Sequence, residues 1–241
     1  MNYIRVILIV FISFFSSCIF NGNSSAELKI VNSYKLNIKE PSGITYFNNY
    51  LFIVSDFNGV VYKVDLKGKI VDEIKIKTKD LEGITVNDNG DFFVVSESKR
   101  ALFQINSNGE IIKKNKVKGN QKHNNSGLEG LCFSLDNDSF YAVNEKSPKQ
   151  LLNISKKGKI LSEINIDFAK DLSGICEDTA KENLWLLSDE SQKIFKTTKK
   201  GELLKSYKIP VKKAEGIVVV QKQIYIVSDS QNKLYVFKKP N

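Results

Sequence analysis

Five copies of one short pattern run along this chain, and a repeat of that size admits few folds. Each copy contains a Ser-Gly or Glu-Gly step: Ser42-Gly43, Glu82-Gly83, Glu129-Gly130, Ser173-Gly174 and Glu215-Gly216. The glycines stand 40, 47, 44 and 42 residues apart. A second acidic step follows 13 to 15 residues after each glycine, at Ser55-Asp56, Ser96-Glu97, Asn144-Glu145, Ser188-Asp189 and Ser228-Asp229. Self-similarity at roughly 40–50 residues, made of short strands, marks a β-propeller. The expected fold is all-β, with five four-stranded blades.

Within a repeat the strands are legible. The first follows the motif glycine, as in Ile44-Thr45-Tyr46. The second is a near-continuous apolar run ending at the second acidic step, such as Leu51-Phe52-Ile53-Val54 or Leu184-Trp185-Leu186-Leu187. Such runs read as strands buried on both faces. One column in it is always aromatic: Phe52, Phe93, Tyr141, Trp185, Tyr225. A side chain type needed in every repeat belongs between blades, so Trp185 is expected in the core rather than as a sugar-stacking platform. The third strand carries Tyr62, Phe103, Leu152, Phe195 and Tyr235, and in four repeats a hairpin glycine follows it, at Gly68, Gly109, Gly158 and Gly201. Glycine supplies the positive φ of tight hairpins.

The last repeat stops after Lys233-Leu234-Tyr235-Val236-Phe237, without a fourth strand. The missing strand is found at the front of the chain. Ser33-Tyr34-Lys35-Leu36 matches Ser206-Tyr207-Lys208-Ile209, each serine lying ten residues before its motif glycine. Residues 28–38 are therefore expected to complete the final blade, closing the ring and hiding its edges. The propeller should occupy 27–241.

Residues 1–17 read as a targeting segment, with Arg5 ahead of an apolar run from Val6 to Phe15. That run falls short of the about 20 apolar residues of a spanning helix. Phe15-Ser16-Ser17-Cys18 looks like a bacterial lipoprotein signal, in which Cys18 carries the lipid; the alternative is an ordinary secretory signal cleaved nearby. Residues 18–26, with Asn21-Gly22-Asn23-Ser24-Ser25, read as a flexible tether. The expected location is the bacterial envelope, exported and held at a membrane.

The formal charge is +9, yet 34 of the 36 basic residues are lysines. Arginine is the usual reader of phosphates and bases, and no basic run carries interleaved aromatics, so nucleic-acid binding is not expected. Lysines alternate with apolar residues along outer strands, which blunts sheet edges and leaves a weak attraction for an anionic membrane surface. Cys132 and Cys176 hold equivalent places in adjacent repeats, too far apart for a disulfide in most propellers, and read as small buried residues. His123 is the only histidine and has no ligand partner nearby, so no zinc site is indicated.

Antiparallel strands bring both acidic steps to one face of the disc, the first step bordering the central channel. Ser42, Glu82, Glu129, Ser173 and Glu215 form that inner set; Asp56, Glu97, Glu145, Asp189 and Asp229 form the outer one. An acidic residue after a strand also caps turns, and for the outer set that reading competes with a ligand-binding one. The inner set alternates between Glu and Ser, which turn chemistry does not demand. Glu82, Glu129 and Glu215 are the candidate metal ligands, and mixed carboxylate and hydroxyl oxygens suit Ca²⁺ above Mg²⁺. The remaining positions, with Lys146, are candidate ligand-binding residues. Lys146 and Arg100, each just behind an outer glutamate, could instead neutralise part of the ring.

The order Pro41-Ser42-Gly43-Ile44-Thr45, Leu81-Glu82-Gly83-Ile84-Thr85, Gly127-Leu128-Glu129-Gly130-Leu131, Asp171-Leu172-Ser173-Gly174-Ile175, Leu187-Ser188-Asp189-Glu190-Ser191 and Ala214-Glu215-Gly216-Ile217 resembles the SdiA-regulated, YjiK-like family of bacterial envelope proteins. Asn144-Glu145-Lys146-Ser147-Pro148 is similar to that family's Lys-Glu-Lys-x-Pro segment, with Asn144 in place of the first Lys. The resemblance covers roughly residues 30–241. It implies a five-bladed propeller at the envelope with a metal or ligand site at the channel mouth, and leaves the activity open.

Two functional classes remain. The leading expectation is a monomeric, non-enzymatic binding module with a small ligand or protein partner on its acidic face and no catalytic residues. The alternative is a Ca²⁺-dependent hydrolase of phosphoesters or lactones. A glycosidase using paired carboxylates is a weaker third, lacking exposed tryptophan. The scarcity of histidine argues for binding over catalysis.

Overall fold

The computed structural model describes residues 25–119, 127–178 and 182–240. The expectations for the targeting segment, Cys18 and His123 fall outside them. Among the described residues there are 21 strands and no helix, hence no helix long and apolar enough to cross a membrane.

The chain begins with β1 (Ala26–Glu27) and β2 (Ile30–Lys35). The first blade is β3 (Pro41–Phe47), β4 (Tyr50–Ser55), β5 (Val60–Val64) and β6 (Ile70–Lys75). The second is β7 (Leu81–Val86), β8 (Phe92–Ser96), β9 (Ala101–Ile105) and β10 (Ile111–Lys116). The third is β11 (Leu128–Ser134), β12 (Ser139–Asn144), β13 (Gln150–Ser155) and β14 (Ile160–Asn165). The fourth is β15 (Gly174–Asp178), β16 (Asn183–Ser188), β17 (Lys193–Thr198) and β18 (Leu203–Lys208). The last combines β19 (Ala214–Val220), β20 (Gln223–Ser228) and β21 (Lys233–Lys238) with β2 from the front of the chain. The expected ring closure is thus present: β2 runs antiparallel to β21, with Ser33 opposite Tyr235 and Lys35 opposite Lys233. The sheet takes up the chain slightly earlier than expected, because β1 pairs in parallel with β18 through Ala26 and Tyr207. That strap across the neighbouring blade has no counterpart in the repeat.

The core is five wedges rather than one mass. Each hydrophobic cluster lies between two adjacent blades, the last being Leu36, Ile38, Ile44 and Ile53 against Val218, Tyr225, Val227 and Val236. The aromatic column fills these wedges: Phe52 meets Phe92 and Phe93 meets Phe140, each at 4.7 Å between ring centres. Trp185 is fully buried beside Tyr207. Cys132 and Cys176 are buried and free.

The innermost strands β3, β7, β11, β15 and β19 pack side by side around the axis, and the motif glycines explain how. A Cβ on Gly43 would overlap the Glu82 carbonyl oxygen; one on Gly83 would lie 2.7 Å from the Leu131 nitrogen, and one on Gly216 2.6 Å from the Ser42 oxygen. Backbone faces backbone at the axis, so no side chain fits at these five places. What remains of the channel beneath is a void of about 10 Å³ walled by these glycines and by Ile44, Ile84, Leu131, Ile175 and Ile217, too small to serve as a passage.

Candidate functional site

The acidic steps converge as the strand directions require. A cavity of about 310 Å³ opens on one face of the disc, floored by the glycine ring. All ten predicted positions line it: Ser42, Glu82, Glu129, Ser173 and Glu215 inside, and Asp56, Glu97, Glu145, Asp189 and Asp229 around them. Five further charged residues join them, the expected Lys146 and four others. Glu40, Asp171 and Lys213 each stand two residues before an inner position, and Glu190 follows Asp189. Asp80 holds the same place in the second repeat. This column was readable in the repeat frame, and Glu40, Asp80 and Lys213 share left-handed backbone with φ of 48°, 61° and 49°.

The residue ahead of each outer acid holds the site together. Ser55, Ser96, Asn144, Ser188 and Ser228 have no exposed surface. Ser55 and Ser228 donate to the carbonyls of Lys39 and Lys212, at 2.6 Å each. Ser96 donates to Asp80 Oδ2 at 2.7 Å, and Ser188 to Asp171. The hydroxyl therefore ties the end of the second strand to the start of the first in four blades, and in the third blade Asn144 instead reaches Lys146 O and Pro148 O.

Both readings of the outer set have support. Glu97 accepts from the Gly127 amide at 2.8 Å and Asp189 from the Ala214 amide at 3.3 Å, which is backbone capping of the next blade. Asp56, Glu145 and Asp229 instead donate their own amides within their blade, to Glu40 O, Gly127 O and Lys213 O. The inner serines also bridge blades. Ser42 donates to Leu81 O at 2.5 Å and Ser173 to Ala214 O at 2.6 Å, leaving their hydroxyl lone pairs as acceptors.

Charge is strongly segregated. Eleven of the 27 acidic residues line the cavity, against two of the 36 basic ones, Lys146 and Lys213. Lys146 Nζ lies 3.0 Å from Glu145 Oε1 and 2.7 Å from Glu190 Oε1, which holds the lysine above its usual range and Glu190 below its own. Lys213 lies 3.7 Å from Asp189. Arg100 does not neutralise the ring. Its guanidinium is buried and donates to Asn144 Oδ1 at 2.6 Å, because its place in the wedge between blades turns it away from the cavity.

The carboxyls respond as crowded, partly dehydrated acids must. Burial, then Asp56 and Glu97, drive Glu82 well above the usual range; burial, then Glu82 and Glu97, do the same to Glu129. Burial and then Asp189 raise Glu215 to about 7. Asp56, Glu97, Glu145 and Asp229 are also raised, chiefly by burial.

The inner glutamates do not form one metal cluster. Among the described residues, Asp56, Asp80 and Glu82 each place one oxygen within 4.8 Å of the others, as do Glu97, Glu129 and Glu145. Glu82 and Glu129 thus fall into separate groups, completed by Asp56 and Asp80 in one and by Glu97 and Glu145 in the other, and Glu215 is in neither.

The profile of one family, SdiA-regulated, matches residues 25–241, which is the whole propeller. The chain belongs to the SdiA-regulated family. Solved structures similar to this SdiA-regulated protein include glutaminyl cyclase from Myxococcus xanthus, at 13% identity and a TM-score of 0.70, covering 87% of this chain and 95% of that one. Virginiamycin B lyase from Staphylococcus aureus is similar at 21% identity and a TM-score of 0.54, over 85% of this chain and 69% of the lyase. A nidogen/laminin complex gives 12% identity and a TM-score of 0.60, over 83% and 76%. At these identities the likeness is one of fold, and folds of this kind carry unrelated functions.

Proposed function

We propose that this SdiA-regulated protein is a non-enzymatic binding module of the bacterial envelope, anchored through a lipid on Cys18, whose acidic mouth takes up Ca²⁺ and with it a small ligand or a protein partner. The observation that carries this reading is the pair of three-carboxylate groups, five of whose six residues line a cavity holding eleven acids and two lysines. Ca²⁺ accepts six to eight oxygens in flexible geometry, and Asp56, Asp80 and Glu82, or Glu97, Glu129 and Glu145, offer them. A cation also offsets the burial and mutual repulsion that raise these carboxyls, displacing the protons they otherwise keep.

Two measurements follow. Ca²⁺ at a hundredfold excess over its dissociation constant should stabilise the fold by about 2.7 kcal/mol. Replacing Glu82 and Glu129 by Gln, one from each three-carboxylate group, should abolish the Ca²⁺-dependent rise in melting temperature while leaving the metal-free protein folded. No rise in the parent protein at millimolar Ca²⁺ would refute the metal and point to a cationic ligand.

Without metal, the pH dependence has a definite sign. Glu215 binds its proton more tightly folded, at about 7, than the ordinary glutamate value of 4.5 in the unfolded chain. Between those values the native state holds more protons, so stability falls as pH rises from 4.5 through 7. Scanning calorimetry across this window should show a falling Tm, flattened by Glu215→Gln; a rising Tm would contradict the burial of these acids.

A hydrolase of phosphoesters or lactones is the second reading, favoured by one observation: a carboxyl that titrates near 7 can donate a proton at neutral pH. Ca²⁺-dependent release of nitrophenol from nitrophenyl phosphate, lost in Glu215→Gln, would favour it over binding alone.

For the anchor, Cys18→Ser should abolish lipid labelling and release the protein from membranes. Undiminished labelling and membrane fractionation would remove the anchor from the proposal.

A further inference from the structure

We infer that Lys146 is a built-in competitor for the Glu97–Glu129–Glu145 group: a divalent cation entering there displaces its ammonium from Glu145, and Glu190 receives it. This rests on the Ca²⁺ reading of the mouth given above and adds the residue that sets affinity at one of its two carboxylate groups.

The repeat frame isolates this pair. The residue after each outer acid is Phe57, Ser98, Lys146, Glu190 or Ser230. Only the third and fourth repeats place a charge there, on adjacent blades and with opposite signs. Lys146 Nζ bridges Glu145 Oε1 and Glu190 Oε1, so one ammonium joins a member of the three-carboxylate group to an acid outside it. Among the described residues no ion pair reaches Asp56, Asp80 or Glu82, so the other group has no such competitor.

The backbones at both ends of the bridge are pinned, and the lysine head is not. Asn144 is fully buried, is held by Arg100 Nη1 at 2.6 Å, and donates to the carbonyls of Lys146 and Pro148 at 3.2 and 2.7 Å. Across the blade boundary the Glu190 amide donates to both carboxylate oxygens of buried Asp171, at 3.1 and 3.2 Å. What can move is the four-carbon stem of Lys146, which carries a point charge on rotatable bonds.

The ammonium also has somewhere to go. Lys146 and Glu190 line the acidic mouth and, on their other side, a second open cavity of about 610 Å³ whose wall includes Asp167 and Asn165. Swinging outward keeps the contact with Glu190 and releases the one with Glu145. A cation of charge two at the Glu97 group and an ammonium on Glu145 repel each other, so each disfavours the other's seat.

The test is calorimetric titration of Ca²⁺ into the full-length chain in detergent, in a Glu82→Gln background that leaves the Glu97 group as the site. The Lys146 and Glu190 side chains are 35% and 47% exposed, so changes there should not disturb folding, which an unaltered metal-free melting transition would verify. Adding Lys146→Met should tighten Ca²⁺ binding about three- to fivefold, the size of a partly exposed ion pair. A lysine that only braced its turn would leave binding unchanged or weaken it when lost. Lys213→Met removes the same charge from the same mouth, but beside Asp189, which belongs to neither group, and should tighten binding less. Glu190→Gln should weaken Ca²⁺ binding, and much less so once Lys146→Met is present, because Glu190 acts through the lysine. No gain from Lys146→Met, an equal gain from Lys213→Met, or an undiminished effect of Glu190→Gln in the double variant would overturn the displacement and leave the Ca²⁺ reading standing. So would a Glu82→Gln chain that binds no Ca²⁺ with or without Lys146→Met, beside a parent chain that does. A parent chain and a Lys146→Met chain that both ignore millimolar Ca²⁺ refute the reading of the mouth itself.

Discussion

A chain lacking residues 27–38 should fail to fold cooperatively. The deletion removes β2 and with it Leu36 and Ile38, which are 1% and 2% exposed in the wedge between the last and first blades. Losing a buried Leu or Ile side chain costs about 2–5 kcal/mol, and a domain holds only about 5–15 kcal/mol in total. The deletion also strips β21 of its partner and opens a long apolar edge. Circular dichroism should show loss of a sharp thermal transition, partly restored by adding a peptide of residues 27–38. Unchanged thermal unfolding of the truncated chain would sink the closure argument.

Gly43→Ala should be the most damaging methyl addition among the five motif glycines. Its new carbon would collide with the Glu82 carbonyl oxygen, which belongs to β7, and β7 is itself pressed against β11 through Gly83. Neither strand can retreat without widening the ring. A loss of about 3 kcal/mol or more is expected, the upper end of overpacking. Gly201→Ala is the comparison. There φ is +76° and the nearest atoms are side-chain carbons of Ile164 and Ile166, 3.1 Å and 3.3 Å away, so the cost is backbone strain of about 1–3 kcal/mol with room to yield. Urea midpoints for the two variants decide the matter; a harmless Gly43→Ala would mean that the inner strands do not meet as described.

The fold was legible because repetition exposes it. Five glycines in step, five aromatic second strands and a fourth strand missing from one end and found at the other leave little freedom. Convergence of the ten acidic-step positions followed from strand direction alone. Other features were hidden for physical reasons. β1 is two residues long and has no repeat partner, so only its pairing with β18 reveals it. The serines before the outer acids looked like part of the acidic signal, yet they are struts, which shows only when their burial is known. Arg100 stands close to Glu97 in sequence but not in its environment, because packing in the wedge sets its direction. The grouping of Glu82 and Glu129 with different outer carboxylates depends on ångström-scale spacing that no repeat register carries.

The ring closes at a single non-covalent seam, and the front of the chain runs through it. Any drag on the body that is resisted at the N-terminus is therefore transmitted first to β1 and then to β2, the strand that completes the last blade. β1 lies alongside β18 in parallel, with the Leu28 amide bonded to Lys208 O, so part of that load passes into the fourth blade before it reaches the seam. Pulled from its leader, the protein should yield by peeling at this corner, blade five first, while the covalently continuous blades one to three stay intact. The short strap is in this sense a strain relief for the latch.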